Sequence, residues 1–359
     1  MKKHRKSCRE FGFGVLVAAV TVLICLGAAE LAMRIAMPGW RNFDASRFLD
    51  SVQVTGFGEV GIGRVGFAGR FAQNDGDFDI PITINAYGLR MDEPVEAAQG
   101  RVWIVGDSFA FGWGVETKQR FGEVAGHLSG QAVYNIASPG TDVCGYQALI
   151  ARMPKDLHPS AVVVALTLEN DLHTTACVSA APPSSSEAVS WWKSFLAAPT
   201  MTVKTVLTAH SALYNTTAVV LKRADAVRRL LQFAGVVQRA HSYSLEPFGT
   251  ETQEAIAATS AELVRLRTLI PPKTPLAVLI VPSRFDIRDQ NPDQRRIRET
   301  MSELLRQAGI TVLDPAPMLA ETGFAATHFA HDGHWSAQGH LVAGTLVSQW
   351  LAAAPSKPE

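Results

Sequence analysis

The chain has 359 residues, enough to bury one large core with a small module beside it. Lys and Arg number 33, and Asp and Glu also 33. With zero formal charge there is no global field to draw the chain to a polyanion, and nucleic acid is excluded as an expected partner.

Lys2, Lys3, His4, Arg5, Lys6 and Arg9 precede an apolar run from Phe11 to Ala29, about as long as a hydrocarbon core requires. Glu30 and Arg34 end that run, and Pro38-Gly39 stops any helical continuation. The basic flank predicts a cytoplasmic amino terminus and an extracytoplasmic (periplasmic) remainder, so residues 1–39 read as a basic tail and an inner-membrane anchor. A cleaved secretory signal is the alternative, although Ala28 and Ala29 make a weak cleavage site and Ile24 is bulky for a lipoprotein site at Cys25. A buried cytoplasmic helix fits the basic flank poorly. Of the four cysteines, Cys144 and Cys177 alone fall in the exported part. They can pair in an oxidising compartment or stay free as small buried hydrophobes.

Residues 40–100 are glycine-rich with short alternating segments. Phe78–Asn85 reads as a strand and Ala86–Arg90 as the turn leaving it, which makes this stretch a β-rich accessory lead-in. From Arg101 the pattern becomes rhythmic. Apolar strands are predicted at 102–105, 132–136, 161–166, 276–281 and 310–313, with helices between them. One, Pro292–Gln307, places Ile297, Met301, Leu304 and Leu305 on one side; another closes the domain at Ala337–Ala352. Strands alternating with helices predict an α/β fold. The expected form is a flavodoxin-like doubly wound parallel five-stranded sheet in three layers, α/β/α, over residues 101–354. The rhythm breaks at about 176–249, a helical insertion opened by Pro182-Pro183-Ser184-Ser185-Ser186 and carrying Lys222, Arg223, Arg228 and Arg229 between Trp191 and Phe233. It reads as a lid emerging at a loop, or as a disordered or membrane-facing excursion.

Four loops at strand ends hold residues suited to acyl transfer. Ser108 follows the first strand, Gly140 the second and Asn170 the third, while His334 precedes the last helix. Each has a bland reading as a turn, a helix cap or surface decoration. In a doubly wound sheet all four can converge on one edge.

Gly106-Asp107-Ser108 with Gly112, then Gly140, then Asn170-Asp171, then Asp332-x-His334 resemble the four sequence blocks of the SGNH (GDSL-like) hydrolases. The resemblance runs over about residues 101 to 351, interrupted by the insertion. Ile84-Asn85-x-x-Gly88-x-Arg90 looks like the lead-in of membrane-anchored bacterial members. The resemblance implies Ser108 as nucleophile, His334 as general base and then acid, and an oxyanion hole from the Ser108 and Gly140 backbone N–H groups and the Asn170 amide. The commonest family pattern puts an aspartate three residues before the histidine, where this chain has His331. Asp332, two residues before, is retained as the residue orienting His334. In this layout a Cys144–Cys177 disulfide would staple the Gly140 and Asn170 loops together.

His328, His331, Asp332, His334 and His340 invite a zinc reading, but no His-Glu-x-x-His helix is present, and neither metal nor cofactor is expected. The leading expectation is an exported, membrane-anchored serine esterase or deacylase acting on O-acyl esters of an acylated cell-envelope or extracellular glycan. A polysaccharide O-acetyltransferase discharging the same acyl-enzyme onto a sugar hydroxyl, served by a membrane acyl-transfer partner, is the second. A non-catalytic glycan-binding scaffold is the third, and phospholipase or thioesterase activity stays open.

Overall fold

The first helix, α1 (Lys2–Ala36), runs straight through Glu30 and Arg34, which pair one turn apart at 2.7 Å, and stops two residues before Pro38. Within its stretch Phe13–Ala36 an 18-residue segment reaches a mean hydropathy of 2.4 with none of it buried, long and apolar enough to cross a membrane by length and composition. The computed structural model describes residues 2–174, 176, 177, 199–224, 227, 233 and 247–353, with backbone alone for 2–12 and 199–202. Pro182–Ser186, Trp191, Arg228 and Arg229 lie outside the described residues.

The chain divides into two compact units. One is drawn from Met1–Asp44, Asn74–Gly76 and Ala188–Val237, the other from Ala45–Gln73, Asp77–Glu187 and Gln238–Glu359.

The second unit opens with two antiparallel pairs, β1 (Leu49–Val54) with β2 (Gly58–Gly63), and β3 (Ala68–Ala72) with β4 (Asp79–Thr83). Then come β5 (Val102–Gly106), α2 (Ser108–Phe111), α3 (Phe121–Ser129), β6 (Val133–Asn135), α4 (Val143–Arg152) and β7 (Ala161–Thr167). Helices α5 (Pro199–His210) and α6 (Ala212–Arg223) of the insertion belong to the first unit, with α1. The second unit resumes with α7 (Thr250–Leu266), β8 (Leu276–Val281), α8 (Arg284–Asp289), α9 (Pro292–Gln307), β9 (Thr311–Leu313), α10 (Ala316–Thr322), α11 (Phe324–Thr327) and α12 (Ala337–Ala353).

The central sheet is fully parallel in the order β6-β5-β7-β8-β9, a doubly wound α/β fold. Its inner strands β5, β7 and β8 are buried on both faces, which is why they read as nearly unbroken apolar runs. Along β7, Ala161, Val163 and Ala165 enter one core while Val162, Val164 and Leu166 enter the other. Helices α3 and α12 cover the first face through Phe121, Ala125, Val342 and Val347. Helices α4, α7 and α9 cover the second through Tyr146, Ile256, Leu263, Ile297 and Met301. The lead-in joins the first core rather than standing apart from it. Phe71, Phe78, Ile80, Ile82 and Ile84 are buried there.

Candidate active site

Because the sheet is parallel, the loops after β5, β6 and β7 open on one edge. Gly106 ends β5 at φ 156°, where a Cβ would stand 2.8 Å from the Ala110 Cβ and 3.1 Å from the Ala165 carbonyl oxygen. Only glycine leaves the strand this close to β7. Asp107 then caps α2, its Oδ1 accepting the Phe109 N–H at 2.9 Å, and Ser108 becomes the first helical residue. The second oxygen, Asp107 Oδ2, accepts an N–H of the Asn170 amide at 3.3 Å. One buried carboxyl therefore orients two of the candidate groups. Burial pushes it above the usual carboxylate range, against the Phe109 N–H and the charge of His334.

Ser108 Oγ lies 2.7 Å from His334 Nε2. On the far side of the ring, His334 Nδ1 is hydrogen-bonded to Asp332 Oδ1, which also accepts the His334 backbone N–H at 2.9 Å. Burial raises the Asp332 carboxyl, but the charge of His334, hydrogen bonds from its ring and backbone, and Arg284 outweigh burial and hold it below its ordinary range. Phe109 and Trp113 flank the imidazole at ring-centre distances of 4.9 and 5.8 Å.

His331, three residues before His334, is engaged elsewhere. Its Nδ1 meets Asp77 Oδ1 at 2.7 Å, while Asp77 Oδ2 accepts the backbone N–H groups of His331 and Asp332 at 2.8 and 2.9 Å. Gln73 Nε2 donates to Asp332 Oδ2 at 3.1 Å. Gln73 and Asp77 flank the β3–β4 turn. Sequence reasoning gave neither a role, because single polar residues beside a turn carry no periodic or motif signal.

Ser108, Gly140, Asn170 and His334 line one cavity of about 690 Å³. Gly140 has φ 74° and open space where a Cβ would stand, so backbone conformation selects glycine there. Asn170 is placed by its neighbours. Buried Asp171 accepts the Thr167 N–H at 2.7 Å and the Tyr146 hydroxyl at 2.8 Å, and burial together with the charge of Asp107 pushes its carboxyl well up. Glu169 accepts the Arg284 backbone N–H at 2.6 Å and pairs with its guanidinium at 2.7 Å, joining the β7 loop to the start of α8. Both residues line the cavity, as do His173, Glu251 and Gln294. A smaller cavity of about 270 Å³, between Trp103, Met153 and Ile270, holds none of these groups.

Cys144 and Cys177 form a disulfide with Cα atoms 5.2 Å apart, tying α4 to the segment after the Asn170 loop. Its 33-residue separation corresponds to roughly 3–4 kcal/mol of loop-closure entropy. The histidines considered for zinc have separate partners. His328 meets Thr327 Oγ1 at 3.0 Å, and buried His340 accepts the Phe121 N–H at 3.2 Å. Among the described residues the group with metal-ligand spacing is Cys144, His173 and Cys177, and its two sulfurs are bonded to each other.

Neither a protein-family model nor a curated protein matches the chain. Among solved structures it is similar to a carbohydrate esterase family 2 enzyme with a carbohydrate-binding domain from Corynascus thermopiles (Myceliophthora fergusii). That match has 14% identity and a TM-score of 0.40, covering 71% of this chain and 66%, just under two thirds, of that one. It is also similar to a lipase/acylhydrolase from Enterococcus faecalis (12% identity, TM-score 0.40, covering 72% of this chain and 100% of that one). A lipolytic protein of the G-D-S-L family from Veillonella parvula matches at 12% identity and a TM-score of 0.37, over 69% of this chain and 96% of that one.

Proposed function

We propose that the chain is a membrane-anchored serine esterase or deacylase that removes O-acyl groups from an extracytoplasmic glycan through an acyl-enzyme. The observation that carries this reading is the 2.7 Å contact between Ser108 Oγ and His334 Nε2, with Asp332 bonded behind the ring. His334 takes the hydroxyl proton as Ser108 attacks the acyl carbonyl. The oxyanion is met by the N–H groups of Ser108 and Gly140 and the free N–H of the Asn170 amide. Collapse expels the glycan alkoxide, which takes the proton from His334, and water repeats the sequence in reverse to release the carboxylic acid. Asp332 stays ionised throughout and fixes the imidazole tautomer. Glu169, Arg284, His173, Glu251 and Gln294 give the cavity wall hydrogen-bonding partners for a hydroxyl-rich ligand, beside the apolar Phe109, Leu172, Phe285 and Ile297. The apolar α1 supports the anchor, and the basic residues before it support extracytoplasmic placement.

A fluorophosphonate probe and an acetylated oligosaccharide test this directly. The wild type should take the probe and release acetate, and Ser108→Ala should do neither. An unlabelled, inactive wild type, or equal labelling of both proteins, overturns the assignment.

A further inference from the structure

The described insertion helices are fastened to the end of the candidate membrane span. Glu30, in the last turns of α1, accepts from Ser211 Oγ and from the backbone N–H groups of Ala212 and Leu213, each at 2.9 Å. It thereby satisfies the amino end of α6, which otherwise has only Ser211 as a cap. Arg34 Nη2 donates to the His210 carbonyl at 2.9 Å, closing the last turn of α5. Asn215 Nδ2 donates to the Trp40 carbonyl at 2.9 Å, and Arg34 and Arg41 both lie 5.0 Å from the Trp40 ring centre. These bonds hold the α5–α6 corner level with residues 30–40, where the apolar run gives way to charge and an aromatic side chain. That is the composition of a membrane–water boundary.

The side chains of α5 fit that level. Val203, Val206 and Leu207, spaced three and four apart, are 49%, 51% and 37% exposed, while Lys204 and Thr205 stand on other sides of the helix. Between Pro199 and Arg223 there is no Asp or Glu, whereas Lys204, Lys222 and Arg223 are basic. An apolar stripe on a helix that carries Lys204 and no acidic residue, fixed at the end of the candidate membrane span, matches a bilayer surface with anionic headgroups.

We propose that α5 lies in the membrane–water interface with Val203, Val206 and Leu207 in the acyl boundary, making the insertion a second membrane contact beside α1. This rests on the membrane-anchor part of the proposed function. The area is small, so the contact orients an already anchored chain and does not retain it alone.

The test uses the full chain with Cys8→Ser and Cys25→Ser, the disulfide kept, in phosphatidylcholine/phosphatidylglycerol vesicles. A bimane label goes on Val203→Cys, Val206→Cys, Thr205→Cys or Val17→Cys, and nitroxide lipids or aqueous iodide serve as quenchers. Nitroxide lipids should quench Val17→Cys, Val203→Cys and Val206→Cys several-fold more than Thr205→Cys, with iodide giving the opposite order. A quenched Val17→Cys with Val203→Cys and Val206→Cys as open to iodide as Thr205→Cys overturns the interfacial helix and leaves the anchor standing. An unquenched Val17→Cys removes the anchor and this proposal with it. Equal lipid quenching on both sides of α5, or a Val206→Cys shielded from iodide but untouched by nitroxide lipids, also overturns it, the last by assigning the stripe to a protein partner.

Discussion

Asp332 stands two residues before His334, and that interval lets a single carboxylate oxygen take both the backbone N–H and the ring Nδ1 of the same histidine. Three residues before His334 the chain has His331, which is held by Asp77 instead. The sequence left this open, since spacing alone does not say which way a loop folds. In the proposed mechanism the Asp332 carboxylate, bonded to His334 Nδ1, is the group that sets the imidazole tautomer. Asp332→Asn should therefore lower kcat by about 10⁴ while leaving KM nearly unchanged, the size expected when a catalytic imidazole is left in the wrong tautomer. Steady-state kinetics on a soluble acetyl ester checks this. Activity within a few-fold of wild type would remove Asp332 from the mechanism.

Between β4 and β5, Arg90 sits almost wholly buried and donates to the carbonyl oxygens of Phe111, Gly112 and Val115 at 3.1, 2.6 and 2.8 Å. Its own carbonyl accepts from Arg120 at 2.7 Å. The lead-in motif ending in Arg90 thus clamps the chain leaving the Ser108 turn, whose carbonyls would otherwise be buried without donors. Lysine keeps the charge but offers no fork, so Arg90→Lys should cost about 1–3 kcal/mol for each carbonyl left unpaired. Urea unfolding measures it, and an unchanged midpoint would show that the clamp carries no stability. The inner strands β5, β7 and β8 were readable because burial on both faces leaves nearly continuous apolar runs. The role of the lead-in was not. Its short strands predict β structure, but their docking onto the first core depends on tertiary contacts such as Phe71 with Trp113, and the reach of Gln73 and Asp77 to the Asp332 loop on contacts between residues more than 250 positions apart.

For the molecule as a whole, the balanced charge gives no hint of how stability follows pH. One buried side chain supplies it. His340, fully buried, accepts the Phe121 N–H and faces the rings of Phe121 and Trp335 at 6.2 and 5.8 Å. Burial, and then the charges of His334, Arg90 and Arg120, push its pKa down from 6.5 to about 3. The unfolded chain therefore binds a proton there that the folded one refuses. Above pH 6.5 neither state is protonated and the group is neutral to stability. Below 6.5 unfolding gains the proton, so stability falls by up to about 1.4 kcal/mol per pH unit until the folded histidine titrates near pH 3. His340→Gln, which keeps an acceptor for the Phe121 N–H, should flatten this part of the curve whatever its stability at pH 7.5. Denaturant unfolding followed by tryptophan fluorescence between pH 7.5 and 4.5 compares the two slopes. Parallel curves would mean that His340 already takes up a proton in the folded state, and that the acid sensitivity of the fold lies instead in carboxyls held below their ordinary range, such as Asp332.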